Sequence, residues 1–595
     1  MNGITRATVV TILAGITGAL ALPVLVARTP ASVASTALGT EEAFSVSGLE
    51  PRENLVGGGA IRWTQPRAVF RFAGLEPGNV RIEVNARDHR GDVTVTANGA
   101  RIGGLPKGGG HFESNVRVTT SELLIGLETD GFAASGRTLG TQFGSLVVTP
   151  ESHSVASPLW LVFALVFSVA LVASLVAELP VSPSILPPTL LAALVLPAGL
   201  HRSGWLFRCA GLLILATILS VIVARGSSGG RGAKALLAIA LLLALTVHGV
   251  IPPSPLMIQG DAQFHGNRLQ DVASGNLFIT SQTQHHPPFR FPYGFSFYAV
   301  LAPFVSSSSF NVPIVRVGAA LFSVMSILAL ALSLGRRSAS LAATVALLWT
   351  FAPVNLRTMA FGNLSNVFAQ AVFVLFLAGA MVRSANLPRL IMLAFLVGLS
   401  ATSHLSSFIV IATLLIAAFF IRAERATPAF KPLLWGSLAA AAYYLMFIPS
   451  ILSQGPRLLG ERGGSAGAFD PLRLPNQVLL ELGWPVIVLT LLALGLWRSG
   501  GAALPLSRSQ AITGAALAVL AQISPIEVRY VLAFVPLIAV CAASGFGESL
   551  ERPVSARTLL CAGLVAASVL QGAFVLRGFI PLWGGRLDCY TDSFQ

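Results

Sequence analysis

Ionisable side chains are concentrated in one stretch of this sequence, residues 260–294, which we call the polar island. The stretch is GDAQFHGNRLQDVASGNLFITSQTQHHPPFRFPYG, and it lies between long apolar segments. It contains two carboxylates, three histidines and two arginines, in a chain of which only 11% is charged. Ionisable groups at the edge of membrane-type apolar segments tend to mark functional sites. The polar island is therefore the candidate active site.

The first part of the polar island has the spacing of a one-sided helix. If residues 261–271 are helical, Asp261, His265 and Arg268 fall on one face, at positions i, i+4 and i+7. The carboxylate of that face can accept a proton from an attacking hydroxyl, and its guanidinium can stabilise a phosphate leaving group. Asp271, one turn further and slightly off the face, is the second candidate base. The alternative is an interfacial helix whose polar face is only solvated.

The second part of the polar island is rich in proline and aromatic residues. His285 and His286 precede PPFR and the run FPYGFSFYAVLAPF, which is too broken to span a membrane. Because prolines remove backbone donors, we expect this segment to enter the membrane interface and turn back. With Asp261 and His265, the two histidines make an oxygen and nitrogen ligand set, so a divalent metal is a candidate cofactor. Their spacing fits no specific metal motif, and phosphate binding or shaping of the loop are the alternatives.

Composition places the chain in the membrane class, because 54% of its 595 residues are hydrophobic. The formal charge of +14 is scattered over short loops, which argues against nucleic acid as a partner and favours contacts with membrane lipids. Three of the four cysteines lie in apolar spans, so no disulfide framework is available. We predict a polytopic helical bundle of about 13–15 spans. The spans after the first are predicted near residues 168, 192, 214, 243, 322, 347, 373, 396, 413, 441, 486, 515, 536 and 566.

A change of composition separates an N-terminal region from this bundle. The segments VFRFAGL, NVRIEVNA, DVTVTA and GSLVVTP alternate apolar and polar residues, and Asn98-Gly99 is a strong hairpin signal. We predict a β-sandwich. The predicted division is a membrane anchor or signal segment at 1–30, the β-sandwich at 31–154, additional membrane helices at 155–234, a core at 235–546 with a catalytic loop at 252–296, and a last span with a polar tail at 547–595.

The basic loops predict the orientation of the chain in the membrane. Alternating the spans puts ARGSSGGRGAK, GRRS, MVRSANLPR and IRAERATPAFK on the cytoplasmic side, as the positive-inside rule requires. The same alternation puts the β-sandwich and the polar island on the extracytoplasmic side. We therefore predict a multi-pass membrane protein with its candidate active site on that side.

Three features in this order resemble the GT-C superfamily of membrane glycosyltransferases. They are Asp261 shortly after a span, the segment His286–Phe289 of the form H-P-P-F, and Arg529-Tyr530 within RYVLAFVPLIAV. The resemblance covers residues 235–546. The N-terminal region also resembles the jelly-roll-like, carbohydrate-binding-module-like domains that some bacterial members carry. The resemblance implies that this β-sandwich binds carbohydrate, and the alternative is a sandwich that only packs against the bundle. The sequence departs from the family where Asp261 is followed by Ala262 and not by a second acidic residue, and in the spans that precede the core.

The resemblance implies transfer of a sugar from a polyprenyl-phosphate donor to a glycan, lipid or protein acceptor. It implies Asp261 as the general base or as a carboxylate that orients the acceptor. It also implies Arg529 near the donor phosphate, with Arg268 and Arg290 as alternatives, and a location in the bacterial cytoplasmic membrane. The expected substrate-binding residues are Arg268, His285, His286, Arg290, Tyr293, His404, Arg529 and Tyr530, beside the catalytic candidates Asp261, Asp271 and His265. For His404, a satisfied interhelical histidine is the alternative. For the whole chain, the alternatives are a transporter or flippase of lipid-linked sugar and a non-catalytic glycan-binding envelope protein.

Overall fold

The structure is a computed structural model with an antiparallel β region followed by a mostly helical region. It describes residues 33–36, 46–49, 53–54, 60–73, 78–89, 91–119, 122–134, 137–150, 204–253, 261–282, 290–305, 311–381, 386–449, 452–454, 483–488, 509, 512–513, 516, 535, 539 and 556–579.

The β region is a curled antiparallel sheet with the strand order β7-β6-β9-β4-β12-β5-β8. Its strands are β1 Val33–Thr36, β2 Val46–Leu49, β3 Glu53–Asn54, β4 Ala60–Ala73, β5 Gly78–His89, β6 Val93–Ala97, β7 Ala100–Leu105, β8 Gly110–Val118, β9 Glu122–Glu128, β10 Phe132–Ala134, β11 Arg137–Leu139 and β12 Thr141–Pro150. The long strand β4 pairs with β12 near its start and with β9 over its second half, so it belongs to both parts of the curl. The inward side chains of both parts form one apolar core, in which the rings of Phe70 and Phe143 stack 4.9 Å apart.

The hairpin predicted at Asn98-Gly99 is confirmed. Strands β6 and β7 pair up to Ala97 and Ala100, and the two turn residues have φ angles of 49° and 81°. A two-residue hairpin of this kind needs positive φ at both positions, which asparagine and glycine tolerate best. The Asn98 side chain also accepts a hydrogen bond from the backbone N–H of Leu124 at 2.8 Å, which ties the turn to β9.

The helical region begins at residue 204 in the part of the chain that the structure describes. Its helices are α1 Gly204–Arg225, α2 Arg231–Leu245, which continues as a π-helical turn Thr246–Val250, α3 Ala262–Ala273, α4 Ser296–Leu301, which continues as a 3-10 turn Ala302–Phe304, α5 Val312–Gly335, α6 Ala339–Thr350, α7 Pro353–Phe361, α8 Leu364–Ala380, α9 Leu387–Ala401, α10 Leu405–Phe420, α11 Arg422–Arg425, α12 Phe430–Leu445 and α13 Ala556–Phe579. A short hairpin, β13 Thr280–Gln282 and β14 Arg290–Pro292, lies between α3 and α4.

These are the helices of a membrane protein. Arg231–Val250 and Pro313–Gly335 are each long and apolar enough to cross a bilayer, and the bent pair α6 and α7 makes a third candidate. The helices carry large apolar side chains that are exposed, among them Phe395, Phe420 and Trp435. Such an apolar surface is stable in contact with lipid, whereas in water it would favour aggregation. The predicted number of spans stays a prediction, because the centres near 168 and 192 lie outside the described residues.

The span predicted near residue 347 is not one straight helix. Helices α6 and α7 meet at an angle of 49°. Pro353 begins α7, and a proline both lacks a backbone donor and pushes the preceding residue out of the helical conformation. Ala352 accordingly has the extended angles φ −64° and ψ 125°. The Asn355 side chain donates to the Trp349 carbonyl at 2.6 Å. This bond replaces a helical hydrogen bond that the carbonyl group loses at the break.

Small residues allow helices α9 and α12 to approach each other closely. A Cβ atom placed on Gly436 would lie 2.5 Å from the Ala394 carbonyl and from Val397. Gly398 lies on the facing helix, and a Cβ atom placed on it would be 3.6 Å from the Gly436 carbonyl oxygen. Close packing of small residues commonly drives helix association in lipid, because the hydrophobic effect does not draw helices together there.

The two ends of the bundle differ in charge. At one end, the loop after α1 and the loop after α5 are joined, since the Ser228 N–H donates to the Gly335 carbonyl at 2.7 Å and the Ala339 N–H donates to the Ser228 carbonyl at 2.8 Å. These loops are the basic segments ARGSSGGRGAK and GRRS. The polar island lies after the other end of α2. We call that end the island end.

Candidate active site

The helix predicted at 261–271 is present as α3, and Asp261 is its N-cap residue. The Asp261 side chain is exposed and makes no capping hydrogen bond to the helix. One turn later His265 is buried, with 1% of its surface exposed, while Arg268 is half-buried. The helical face that the sequence predicted therefore runs from an exposed carboxylate, over a buried imidazole, to a partly exposed cation.

His265 holds three elements of the island end together. Its Nδ1 lies 2.7 Å from the Tyr298 hydroxyl of α4, and its Nε2 accepts the backbone N–H of Leu364, the first residue of α8, at 3.2 Å. Because a backbone N–H can only donate, Nε2 carries no proton, and the neutral ring must have its proton on Nδ1. His265 then donates to Tyr298. We infer a positioning role for it, since both of its nitrogens are engaged.

Burial and several neighbouring groups change the pKa of the Tyr298 hydroxyl. Tyr298 is fully buried, and burial followed by the neighbouring Tyr293 raises the pKa of its hydroxyl well above the ordinary value. The Arg268 cation lowers this pKa and the Asp261 carboxylate raises it. The phenol is therefore neutral at physiological pH, and the carboxylate and the guanidinium of α3 both lie within electrostatic reach of it.

Tyr293 lies between the two histidines of the island end. Its ring centroid is 6.3 Å from that of His265 and 5.7 Å from that of His404, the latter in an edge-to-face arrangement. Its hydroxyl is 3.1 Å from the Ser365 hydroxyl in the first turn of α8. Phe264 of α3 packs edge-on against the same ring at 5.2 Å. Tyr293 thus joins the polar island to the start of α8.

His404 caps α10 and also faces the polar island. Its Nδ1 accepts the backbone N–H of Ser406 at 3.2 Å and lies 2.7 Å from the Ser406 hydroxyl. That hydroxyl is in turn 3.1 Å from Oδ1 of Asn366. His404 is neutral for the same reason as His265. His404 is therefore held by the start of α10 and packs against Tyr293, and its role in substrate binding stays a prediction.

Arg268 and Asp271 form an ion pair on the outer side of α3. The guanidinium Nη1 lies 3.0 Å from the carboxylate, at the spacing i, i+3, and both side chains are partly exposed. The guanidinium also lies over the Phe264 ring, 5.4 Å from its centroid. Asp271 therefore orients Arg268, which makes it a weaker candidate base than Asp261.

Backbone contacts fix the polar island against the helices. Gly294 lies so close to α9 and α10 that an added Cβ atom would be 2.3 Å from the Ser403 backbone. Arg316 of α5 donates twice to the Pro252 carbonyl, at 2.9 and 2.6 Å, where the chain leaves α2. The Tyr443 hydroxyl of α12 donates to the Tyr293 carbonyl at 3.0 Å.

Replacing Gly294 with alanine is expected to destabilise the island end. The new methyl group meets backbone atoms of Ser403, which cannot rotate away, so the segment with Tyr293 must move away from His404. We expect a loss of about 1–3 kcal/mol, as for other overpacked positions. Thermal unfolding of the purified protein in lipid measures the change.

The matched control for this change is Gly563→Ala. Gly563 lies in α13, and nothing is within 4 Å of the position of its missing Cβ. Alanine is the better helix former, so this variant is expected to be neutral or slightly stabilised. Equal unfolding temperatures for the two variants would contradict the close contact at Gly294.

The side chains described above make one connected group, which we call the island-end cluster. Its members are Asp261, Phe264, His265, Arg268, Tyr293, Tyr298, Ser365, Asn366, His404 and Ser406.

Several predicted site residues cannot be compared with this cluster. His285, His286, Arg529 and Tyr530 lie outside the described residues, and for Arg290 only the backbone is described, in strand β14. The metal set that combined Asp261 and His265 with the two histidines is corrected in one respect. His265 has both ring nitrogens engaged, so it cannot also bind a metal ion. Among the described residues, no group of three histidine, cysteine, aspartate or glutamate side chains is placed to hold one.

The sequence pattern did not reveal five members of the cluster, which are Phe264, Tyr298, Ser365, Asn366 and Ser406. One signal was available in the rarity of tyrosine, since the chain has six. Four of these six meet at the island end, where Tyr444 donates to the Ala401 carbonyl at 3.0 Å beside the contacts of Tyr443. A second signal was the segment GNLSN, in which Gly362 ends α7 in the left-handed conformation and polar residues begin α8.

No protein-family model matches this sequence, and no curated protein is significantly similar to it. Solved structures give distant likenesses. The oligosaccharyltransferase of Archaeoglobus fulgidus in its apo form is 14% identical over 58% of this chain and 55% of that chain, with a TM-score of 0.39. The complex of that organism's oligosaccharyltransferase with an inhibitory peptide and a dolichol-phosphate is 14% identical over 61% of this chain and 55% of that one, with a TM-score of 0.35.

A family 35 carbohydrate-binding module from Clostridium thermocellum is 11% identical over 20% of this chain and 98% of the module, with a TM-score of 0.15. The chain thus spans about half the length of the oligosaccharyltransferases that it matches. TM-scores below 0.5 do not establish a common fold.

Proposed function

We propose that this protein is a membrane glycosyltransferase of the GT-C type, which transfers a sugar from a polyprenyl-phosphate donor to an acceptor hydroxyl. One observation carries the proposal. An exposed carboxylate, Asp261, and a partly exposed cation, Arg268, stand on one short helix at the end of an apolar helical bundle. A lipid-linked phosphate and a water-soluble acceptor can meet only at such a membrane surface.

The proposed chemistry is a single displacement at the anomeric carbon. The acceptor oxygen attacks this carbon while Asp261 takes the hydroxyl proton, which makes the oxygen a stronger nucleophile. The bond from the anomeric carbon to the phosphate oxygen breaks, and polyprenyl phosphate leaves with the bonding electrons. Arg268, oriented by Asp271, stabilises the added negative charge on the phosphate. The sugar is transferred with inversion.

The proposed orientation puts the island end on the extracytoplasmic side of a bacterial cytoplasmic membrane. The basic loops joined through Ser228 lie at the other end of the bundle, and short basic loops favour the cytoplasmic side. His285, His286, Arg290, Arg529 and Tyr530 belong to the proposal as residues near the donor phosphate or the acceptor, on the resemblance alone. The acceptor is a glycan, a lipid or a protein.

The test of this proposal is transfer of labelled sugar by the purified protein in lipid, with a panel of polyprenyl-phosphate sugars and envelope acceptors. Formation of a labelled product that depends on both substrates supports the glycosyltransferase. If the protein binds the lipid donors but forms no product with any acceptor, the proposal is wrong and transport or binding of lipid-linked sugar replaces it.

For the β region we propose recognition of the acceptor glycan. Deleting residues 31–154 and joining the ends with a short linker is expected to leave membrane insertion intact, since the sheet has its own apolar core. The expected result is a changed preference among acceptors, measured as the ratio of products from competing glycans. The full chain in the same lipid is the reference. An unchanged ratio would count against glycan recognition by the sheet.

A further inference from the structure

We infer that the floor of the island-end cluster is a specificity site for an uncharged sugar, in which Asn366 binds a hydroxyl group. This inference rests on the proposed glycosyltransferase function and adds to it the class of sugar. The floor is formed by the residues at the starts of α8 and α10, which are Ser365, Asn366, His404 and Ser406.

Asn366 has an unused hydrogen-bonding group. Only 3% of the residue is exposed, and its Nδ2 has no hydrogen-bond partner among the described residues. Its Oδ1 is engaged with the Ser406 hydroxyl at 3.1 Å. Buried amide groups are normally satisfied, and an orphaned one calls for a ligand or another explanation. A sugar hydroxyl both donates and accepts, so it complements an amide group.

The surroundings of Asn366 favour a ligand that binds through its oxygen atoms. Asn366 lies in the first turn of α8, a helix of 17 residues, whose N-terminus has a partial positive charge. His265 already accepts the N–H of Leu364 at this helix end. The hydroxyls of Ser365 and Tyr293, 3.1 Å apart, lie beside it and can exchange their mutual hydrogen bond for bonds to a sugar.

The floor residues that bond to one another are all uncharged. His404 is neutral, because its Nδ1 accepts the backbone N–H of Ser406. The Ser406 hydroxyl in turn donates to Oδ1 of Asn366. The charged members of the cluster, Asp261 and Arg268, belong to α3, where Asp261 is exposed and Arg268 is half-buried. A carboxylate or an ammonium group on the sugar would lose its hydration here without gaining an opposite charge, which is strongly unfavourable.

The test compares donors that share one polyprenyl phosphate and differ only in the sugar: an uncharged hexose, the corresponding uronate and the corresponding amino sugar. Binding and transfer are measured for the full-length protein in lipid. We expect the uncharged donor to be preferred at least about tenfold over both charged donors, in binding and in kcat/KM. Preference for the uronate or the amino sugar, or equal use of all three, would overturn the inference.

Two variants of Asn366 separate a role in specificity from a role in folding. Asn366→Leu removes the amide and is expected to lower kcat/KM for the uncharged donor about tenfold, while affinity for polyprenyl phosphate itself stays unchanged. Asn366→Asp keeps the shape and adds a negative charge, so it is expected to shift preference toward the amino sugar. A structural role would not produce this shift, and an unchanged donor ratio in both variants would overturn the assignment.

Asn355→Leu is the matched control. Asn355 is also buried, with 2% exposed, and its Oδ1 also has no hydrogen-bond partner among the described residues, but it lies in α7 and its Nδ2 donates to the Trp349 carbonyl. Its replacement is expected to leave the ratio between donors unchanged. The two proposals fail differently. Absence of transfer from every donor would overturn the glycosyltransferase function. In that case the ratio between the affinities for the uncharged and the charged donors still tests whether the floor selects uncharged sugars.

Discussion

Asp261→Asn is expected to lower the rate of sugar transfer about 10³-fold, which is within the range for loss of a positioned general base. The amide cannot take the proton of the acceptor hydroxyl, so the nucleophile stays weak. The folded protein should be nearly unaffected. Asp261 is exposed at the N-cap of α3, and asparagine is as good an N-cap residue as aspartate. Single-turnover transfer and thermal unfolding of the same preparation measure the two effects.

Asp271→Asn is the control for this prediction. It also removes one carboxylate from α3, but the structure pairs this carboxylate with Arg268. We expect a much smaller loss of rate, seen mainly as weaker donor binding, because Arg268 loses its orientation. A larger loss of rate for Asp271→Asn than for Asp261→Asn would exchange the roles of the two carboxylates. Loss of folded protein in Asp261→Asn would show that Asp261 is structural.

His265→Phe is expected to give the largest loss of stability among single changes in the cluster, about 2–4 kcal/mol. Phenylalanine fills a similar volume but leaves the Leu364 N–H and the Tyr298 hydroxyl without their partner in a buried place. Because these groups belong to α8 and α4, the loss also loosens the position of α3. Unfolding of the protein in detergent measures the stability, and the transfer rate reports the position of Asp261.

Two comparisons make this prediction specific. His265→Gln keeps an acceptor and a donor in the same region and is expected to recover part of both effects. His248→Phe is the matched change at another buried histidine, whose ring has one hydrogen bond, to Ser323 at 2.8 Å. It should cost less stability and leave α3 in place. If His265→Phe unfolds at the temperature of the unchanged protein, the network through His265 contributes nothing.

Local patterns in the sequence are sufficient for several features of this protein. The hairpin at Asn98-Gly99 follows from two residues that tolerate positive φ between alternating strands. The helical face of α3 follows from the spacing of Asp261, His265 and Arg268. These features depend on neighbours within a few positions, so they can be read without knowledge of the fold.

Other features depend on which elements pack together. The sequence predicted a span centred near residue 347, and the structure bends it at Pro353, where the Asn355 side chain and α13 contact the break. A backbone carbonyl of this break, that of Phe351, lies so close to Gly572 of α13 that only glycine fits there. Nothing in the local pattern around residue 347 indicates this contact from more than 200 positions away.

The sequence by itself determined the membrane class of the chain, the β region, and the place of Asp261 and Arg268 on one helix, because hydrophobicity and periodicity are local properties. Only the tertiary structure decided the roles within that helix. His265 became a buried link because α8 brings the Leu364 N–H to its Nε2, while Asp261 stayed exposed one turn earlier. Asn366 entered the cluster because α8 and α10 begin side by side. Burial and hydrogen bonding between distant segments assign these roles, and neither follows from residue type and spacing alone.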